Sequence, residues 1–233
     1  MSKTLLQEIV GGITDWAWPN LCLICDAPLV EGETHLCARC LYELPYLQPA
    51  SFQDNGAAER FWGKIEFEKA ASGFRYTKES ALQSLLEQLK YKGAKELGSY
   101  LGRRCGSLLQ PRGFFEGIDA LVPVPLHPKR QKKRGYNQSQ WIADGLAQVC
   151  GLPVLPDILC RKTANSTQTT KSLWRRWENS LELFTAQHAE SYADKHLLLV
   201  DDVLTSGSTM EACGHALREK AAVRLSFFSL ALA

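Results

Sequence analysis

The stretch His196-Leu-Leu-Leu-Val-Asp-Asp-Val-Leu-Thr-Ser-Gly-Ser-Thr-Met210 decides the fold class of this chain. A short apolar run ends in two adjacent carboxylates, a turn of small residues follows, and a helix-like stretch begins after it. That order describes a buried strand carrying acids to its carboxyl end, where open α/β sheets bind their ligands. The turn Thr205-Ser-Gly-Ser-Thr209 then leads into a helix start, whose free N–H groups and positive dipole end hold phosphate. Gly207 can take a positive φ and let the backbone close around an oxyanion. Ser206, Ser208 and Thr209 add short hydroxyl donors and can cap the helix. No lysine follows the glycine, so the turn is not a P-loop.

Asp201 and Asp202 would repel a bare phosphate and must face something else. The hydroxyls of a ribose diol donate to carboxylates, and a magnesium ion takes carboxylate oxygens directly or through water. Acids for a sugar beside a nest for its 5′-phosphate describe a sugar-phosphate site. These residues resemble the 5-phosphoribosyl-1-pyrophosphate (PRPP) motif of the type I phosphoribosyltransferases. The resemblance implies that Asp201 and Asp202 bind the ribose hydroxyls. It implies that Thr205, Ser206, Gly207, Ser208 and Thr209 bind the 5′-phosphate.

The chain has 233 residues, enough for one medium domain and a small appendage. With 45% hydrophobic and 22% charged residues it has the make-up of a globular protein. Its net charge of +2 is too small to argue for nucleic acid by itself. Leu5, Leu6, Ile9, Val10, Ile13 and Trp16 recur at helical spacing, which predicts a short amphipathic helix and no signal peptide. No run is long enough to span a membrane, so a cytoplasmic setting with reduced thiols is expected.

Four of the eight cysteines sit as Cys22-x-x-Cys25 and Cys37-x-x-Cys40. Each pair can form a knuckle offering two thiolates, and two such pairs make a four-cysteine structural zinc site, the alternative being two disulfides or four unrelated buried thiols. The gap between the pairs is short for a zinc ribbon, but a hairpin can close it. His35, inside that gap, is either a substitute ligand or a loop histidine. Cys105, Cys150, Cys160 and Cys213 read as small apolar residues.

Pro45, Pro49 and the polar run Ser51 to Glu59 punctuate the passage after the quartet. A small domain over 1–50, a linker over 51–69 and a main domain over 70–233 are therefore expected. Ala70 to Tyr76 reads as a strand. Leu82, Leu85, Leu86 and Leu89 form one stripe of a helix that ends in Lys90-Tyr-Lys-Gly93. Lys90 and Lys92 either match the helix dipole or lie near a pyrophosphate.

Next comes Asp119-Ala-Leu-Val-Pro-Val-Pro-Leu-His127, a strand that its prolines must stop. Five of the six residues Lys129 to Arg134 are cationic, and Gly135, Asn137 and Gln138 suggest a mobile polar segment. Lys129, Lys132, Lys133 and Arg134 could close over a leaving pyrophosphate, with Lys90 and Lys92 in support. Alternatively, Arg130, Arg134 and Tyr136, with Arg175 and Arg176, lie along single-stranded DNA. Trp174 and Trp177 flank those last two arginines on one helix face, which core packing also explains. Lys129 to Gly135 is expected to be poorly ordered without ligand. Asp201, Asp202 and Gly207 are expected to line one concave pocket with the strand end Val122–Pro125, where Val124 and Pro125 approach PRPP. A final helix over Met210 to Lys220 and a strand over Val223 to Leu230 complete a strand–loop–helix–strand unit.

The Val-Pro-Val-Pro run, Arg134-Gly-Tyr-Asn-Gln-Ser139, Lys90-Tyr-Lys-Gly93 and the cysteine quartet together resemble the ComF/GntX competence family. Arg161, Thr167-Gln168, Arg175 or Arg176, Asn179 and Phe184 match it loosely, and Thr169-Thr170-Lys171 departs from it. The resemblance implies a type I phosphoribosyltransferase fold, mainly a parallel sheet flanked by helices, behind a zinc-ribbon-like domain. It implies structural zinc, magnesium with PRPP, and work in DNA uptake, competence or the use of external DNA beside other DNA-processing proteins. Two functions of different class follow: an enzyme transferring phosphoribose to a nitrogen acceptor, or a non-catalytic module that senses PRPP and binds single-stranded DNA.

Overall fold

The computed structural model describes residues 20–161 and 183–233. The helix expected over Leu5 to Trp16, the arginines Arg175 and Arg176, the tryptophans beside them, Gln168 and Asn179 lie outside those residues. In chain order the helices are Ala38–Tyr42 (α1), Ala81–Tyr91 (α2), Lys95–Leu109 (α3), Pro128–Arg134 (α4), Gln138–Cys150 (α5) and Ser208–Arg218 (α6). The strands are Lys69–Arg75 (β1), Ala120–Pro123 (β2), Leu159–Arg161 (β3), Phe184–Ala186 (β4), His196–Leu204 (β5) and Arg224–Leu232 (β6). Among the described residues no helix is long and apolar enough to cross a membrane.

The main sheet has the order β1-β6-β5-β2 and every pairing in it is parallel. Strands buried on both faces read as continuous apolar runs, which is why Leu197 to Val200 and Leu225 to Leu230 show so little alternation. Leu198, Val200, Phe228 and Leu230 pack on one side with α2, α3 and α5. Leu197, Leu199, Leu225 and Phe227 pack on the other with α6. The short β3 and β4 form a separate antiparallel pair. The expected α/β class, a parallel sheet flanked by helices, is the one observed.

Helices α3 and α5 meet backbone to backbone. A Cβ on Gly145 would lie 2.8 Å from the Cα and carbonyl carbon of Ser99, and nearer still to its oxygen. A Cβ on Gly102 would meet Ile142 in the same way. Glycine at both positions sets the spacing of the layer.

The cysteine module packs on this helical layer. Cys22, Leu36, Cys40 and Leu44 share a core with Leu82, Leu85 and Leu89. The Gln88 side-chain amide donates to Leu23 O at 3.1 Å.

Two expectations are corrected. Residues 51–69 do not read as a linker in the folded chain. Phe61 is fully buried and stacks on Phe227 with 4.0 Å between ring centres, and Ala57, Ala58 and Ile65 are buried around it. Asn55 ties the segment down, donating to Ser51 O and Ala70 O at 2.8 and 2.9 Å while accepting from the N–H groups of Ala57 and Ala58. Ala58, Phe61 and Ile65 share the i, i+3, i+7 spacing of a helix face, although only the short 3-10 helix Ala58–Arg60 forms there. Phe61→Ala is expected to cost about 3–5 kcal/mol, read from denaturant unfolding; a linker residue would cost almost nothing.

The cationic run is also not irregular. Residues Pro128 to Arg134 form α4, with His127 as N-cap, proline at the first turn and Gly135 in the left-handed region at its end. Long straight side chains between a start signal and a stop signal favour helix even without burial. No residue of α4 is buried.

Candidate functional site

The site forms where β2 stops short of β5. Pro123 pairs with Val200 as the last register position of β2. Val124 donates its N–H to Val200 O at 2.9 Å, and Pro125 has no N–H to give. Strand β5 runs on to Leu204 with only β6 beside it, Asp201 opposite Ser229. The flank that β2 leaves open is filled by the start of α5. Helices α5 and α6 lie on opposite faces of the sheet, so the gap between β2 and β5 is a switch point of the kind that binds ligands.

Arg134-Gly-Tyr-Asn-Gln-Ser139 builds that filling. Tyr136 Oη donates to Leu89 O of α2. Asn137 Nδ2 donates to Val124 O at 3.0 Å, while its Oδ1 accepts from Ser139 N–H and caps α5. Ser139 Oγ donates to Asp201 Oδ1 at 2.9 Å, and Gln138 Nε2 reaches Asp202 Oδ2 at 3.4 Å. Arg134 in turn donates to Gln138 Oε1. Read as a mobile segment, the motif instead ties α2, β2 and β5 to the paired acids. Ser139 and Gln138 thus hold the paired acids, a role that composition alone does not assign them. The pairing of a capping Asn137 with polar residues behind it was the available signal.

Lys90 forms an ion pair with Asp202, Nζ to Oδ2 at 2.7 Å. Asp202 is only 7% exposed. The expectation that both acids face one open hollow with Gly207 is thus corrected: Lys90 and Gln138 close over Asp202, because a buried carboxylate requires a partner. Asp201 stays partly exposed. Burial and the neighbouring Asp202 charge push the Asp201 carboxyl up to about 7, against the pull of Asp202 N–H, Ser139 and Lys90. A carboxyl raised in the folded state binds more protons there than in the unfolded chain between about pH 4 and pH 7. Its contribution to stability therefore falls as pH rises through that window. Unfolding curves of wild type and Asp201→Asn should agree near pH 4 and diverge toward pH 8, with the variant relatively more stable.

Beyond Leu204 the chain turns through Thr205 to Gly207 into α6. Gly207 has φ +83°, and a Cβ there would sit 2.9 Å from Arg60 O, so both conformation and space demand glycine. Lys64 Nζ holds Ser206 O at 2.8 Å. Thr205, Ser206, Ser208 and Thr209 are exposed. The helical ladder starts at Glu211 N–H to Gly207 O, which leaves the N–H groups of Ser208, Thr209 and Met210 outside it. Hydroxyls and backbone donors thus converge on one exposed turn, an arrangement that accepts an oxyanion.

The cations sit on the other flank. Lys90, Tyr91, Gly93, Arg130, Lys133 and Arg134 line a cleft of about 350 Å³ between the end of α2 and α4. Arg134 lies over the Tyr91 ring at 5.4 Å. Lys92, Lys129 and Lys132 are exposed and outside that lining.

The N-terminal thiols form a second centre. The sulfurs of Cys22, Cys25, Cys37 and Cys40 all lie within 4.8 Å of one another, and none is in a disulfide. Four sulfurs around one tetrahedral ion stand about 3.8 Å apart, and Cys25 Sγ and Cys37 Sγ are 3.8 Å apart. Burial disfavours the Cys22 thiolate, but N–H donors from Cys37, Cys25 and Ile24 outweigh it and bring the thiol down to about 6. Burial and the neighbouring thiols raise Cys40. The four sulfurs can hold a metal ion. His35 is not among them and packs edge-on against Tyr100.

A parallel sheet with paired acids and an anion turn at its switch point is an arrangement suited to a sugar phosphate. The family described as "Phosphoribosyl transferase domain" matches residues 133–231, from the last turn of α4 into β6. Among curated proteins, competence protein F of Haemophilus influenzae is 33% identical over 116 residues, 49% of this chain and 51% of that protein. DNA utilization protein YhgH of Salmonella typhi is 27% identical over 223 residues, covering 91% of this chain and 96% of the relative. Competence protein ComFC of Bacillus subtilis is 25% identical over 156 residues, covering 66% and 61%. The chain is thus similar to the competence proteins F and ComFC and to the DNA utilization protein YhgH, and its residues 133–231 match the phosphoribosyl transferase domain.

Proposed function

We propose that this protein binds PRPP with magnesium and serves the uptake or use of external DNA, as the names of its relatives suggest. The observation that carries the PRPP reading is the single edge that holds Asp201 and Asp202 beside the donors of Thr205 to Thr209. On this reading Asp201 and Asp202 take the ribose 2′,3′-diol, and Thr205, Ser206, Gly207, Ser208 and Thr209 take the 5′-phosphate. Val124 and Pro125 border the leaving group, with Lys90, Lys133 and Arg134 nearest to it and Lys92, Lys129 and Lys132 adding to the positive field. The diol must exchange with Lys90 at Asp202, which frees the ammonium to turn toward the pyrophosphate. Bound magnesium would supply charge neutralisation for the pyrophosphate oxygens.

In the transfer reaction the anomeric C–O bond breaks, its electron pair leaves with pyrophosphate, and a nitrogen nucleophile bonds to the carbon. The two acids offset the positive charge that develops on the sugar. A second reading, a PRPP-sensing module that grips single-stranded DNA, is favoured by the cationic cleft with Tyr91 exposed at its side. The four-cysteine cluster is assigned structural zinc, and the 1–50 segment is its domain.

Calorimetry of PRPP with magnesium tests the reading. Wild type should bind, and Asp201→Asn with Asp202→Asn should lose at least about tenfold in affinity, equal to 1.4 kcal/mol. Folded protein that gives no heat with PRPP would end the proposal. Pyrophosphate release with a panel of bases then separates enzyme from sensor, and DNA binding with a steep salt slope that ignores the double variant supports the second reading.

A further inference from the structure

The turn between β5 and α6 is gripped from behind by residues 60–65, which precede the stretch that matches the transferase domain. Phe61 packs under Gly207, its Cε1 3.2 Å from where a Cβ would stand. Lys64 and Ile65 both donate their N–H groups to Phe61 O, at 3.0 and 3.3 Å. The chain thereby folds back, and Lys64 Nζ meets Ser206 O at 2.8 Å.

This contact sorts the polar groups of the turn. Leu204 O accepts from Ala233 N–H and Gly207 O accepts from Glu211 N–H, each at 2.9 Å. Of these carbonyls and that of Ser206, only the last is held by a side chain. In a trans peptide the carbonyl and the next N–H point in opposite directions, and among the described residues no peptide is cis. The grip on Ser206 O therefore turns the Gly207 N–H away from Lys64. That N–H has no partner among the described residues. Ser208 N–H, next to it, reaches only Ser206 Oγ, at 3.5 Å. A released peptide can flip, and its oxygen would then face the anion.

Charge points the same way. Thr205, Ser206, Gly207, Ser208 and Thr209 carry no charge between them, and two carboxylates stand beside them. Lys64 is exposed and makes no ion pair among the described residues. An ammonium on a carbonyl oxygen polarises the peptide and strengthens its N–H as a donor.

We infer that Lys64 is a positioning residue of the 5′-phosphate site. Its ammonium pins the Ser206–Gly207 peptide, so that the Gly207 N–H joins the donors of the turn, and its charge favours a phosphate dianion over an unphosphorylated sugar. The inference rests on the PRPP reading above.

Titrations of the full chain test it. Ribose 5-phosphate probes this end of the site, and pyrophosphate with magnesium probes the other. Lys64→Met should bind ribose 5-phosphate and PRPP about tenfold more weakly than wild type, the loss that goes with one hydrogen bond to a charged group. Its affinity for magnesium pyrophosphate should stay the same, and Lys64→Arg should recover most of the loss. In isotope-labelled protein the Gly207 amide signal should move downfield as ribose 5-phosphate binds, and move less in Lys64→Met. The inference is overturned if Lys64→Met binds ribose 5-phosphate as wild type does, or if it loses both probes alike, as a merely structural role would have it. An amide signal that moves equally in both proteins also overturns it. Wild type that binds PRPP and ribose 5-phosphate, beside a variant that binds them equally well, removes this inference and leaves the PRPP reading standing. Wild type that binds neither removes both.

Discussion

Gly145→Ala should destabilise the protein by about 3 kcal/mol or more, although alanine is the better helix former by about 1 kcal/mol. The added methyl would fall against backbone atoms of Ser99, which cannot rotate away as a flexible side chain could. The two helices must separate, and separation loosens Ile142, Leu146, Leu97 and Leu101, which are fully buried around the crossing. Gly102→Ala should act in the same way against Ile142. One separation accommodates both methyls, so the double variant should cost less than the sum of the singles. Denaturant unfolding of the three variants measures this. Additive small effects would mean that the helices part easily.

Removing the metal should have an effect of similar or larger size. Structural zinc in small four-ligand sites binds with about 10–16 kcal/mol of apparent free energy. Here the ligand loop shares its core with α2 and α3, so the loss should spread into the main domain. Purified protein should hold about one zinc ion per chain. Chelation should lower the melting temperature and zinc should restore it. Cys40→Ser should reproduce the chelated state, because serine offers no thiolate and Cys40 is buried. Metal-free protein that melts where the native protein does would remove the zinc assignment. Zinc retention should also weaken as pH falls, since the thiols must give up their protons to bind the ion.

The chemistry-bearing motifs were legible because each is local. Asp201 to Thr209 announces a strand end, an anion turn and a helix start within nine residues, and the structure puts them there. The Cys22 to Cys40 spacing announced a knuckle pair, and the four sulfurs converge. The leucine stripe of α2 and its stop at Gly93 were equally plain. Less legible was the Arg134–Ser139 motif. Its composition suits a mobile loop, and only the partners that it meets, Leu89, Val124, Asp201 and Asp202, turn it into a clamp.

The α/β class, the place of the acids and hydroxyls along the chain, and the thiol cluster all follow from periodicity and spacing within a few residues. Which groups meet across the chain depends instead on how the elements pack. Lys90 reaches Asp202 over more than a hundred positions, Ser139 reaches Asp201, and Phe61 slides beneath Gly207 and onto Phe227. Such contacts follow from the order of strands in the sheet and the faces to which its helices fold. Packing of the whole chain sets that order, and no short stretch encodes it.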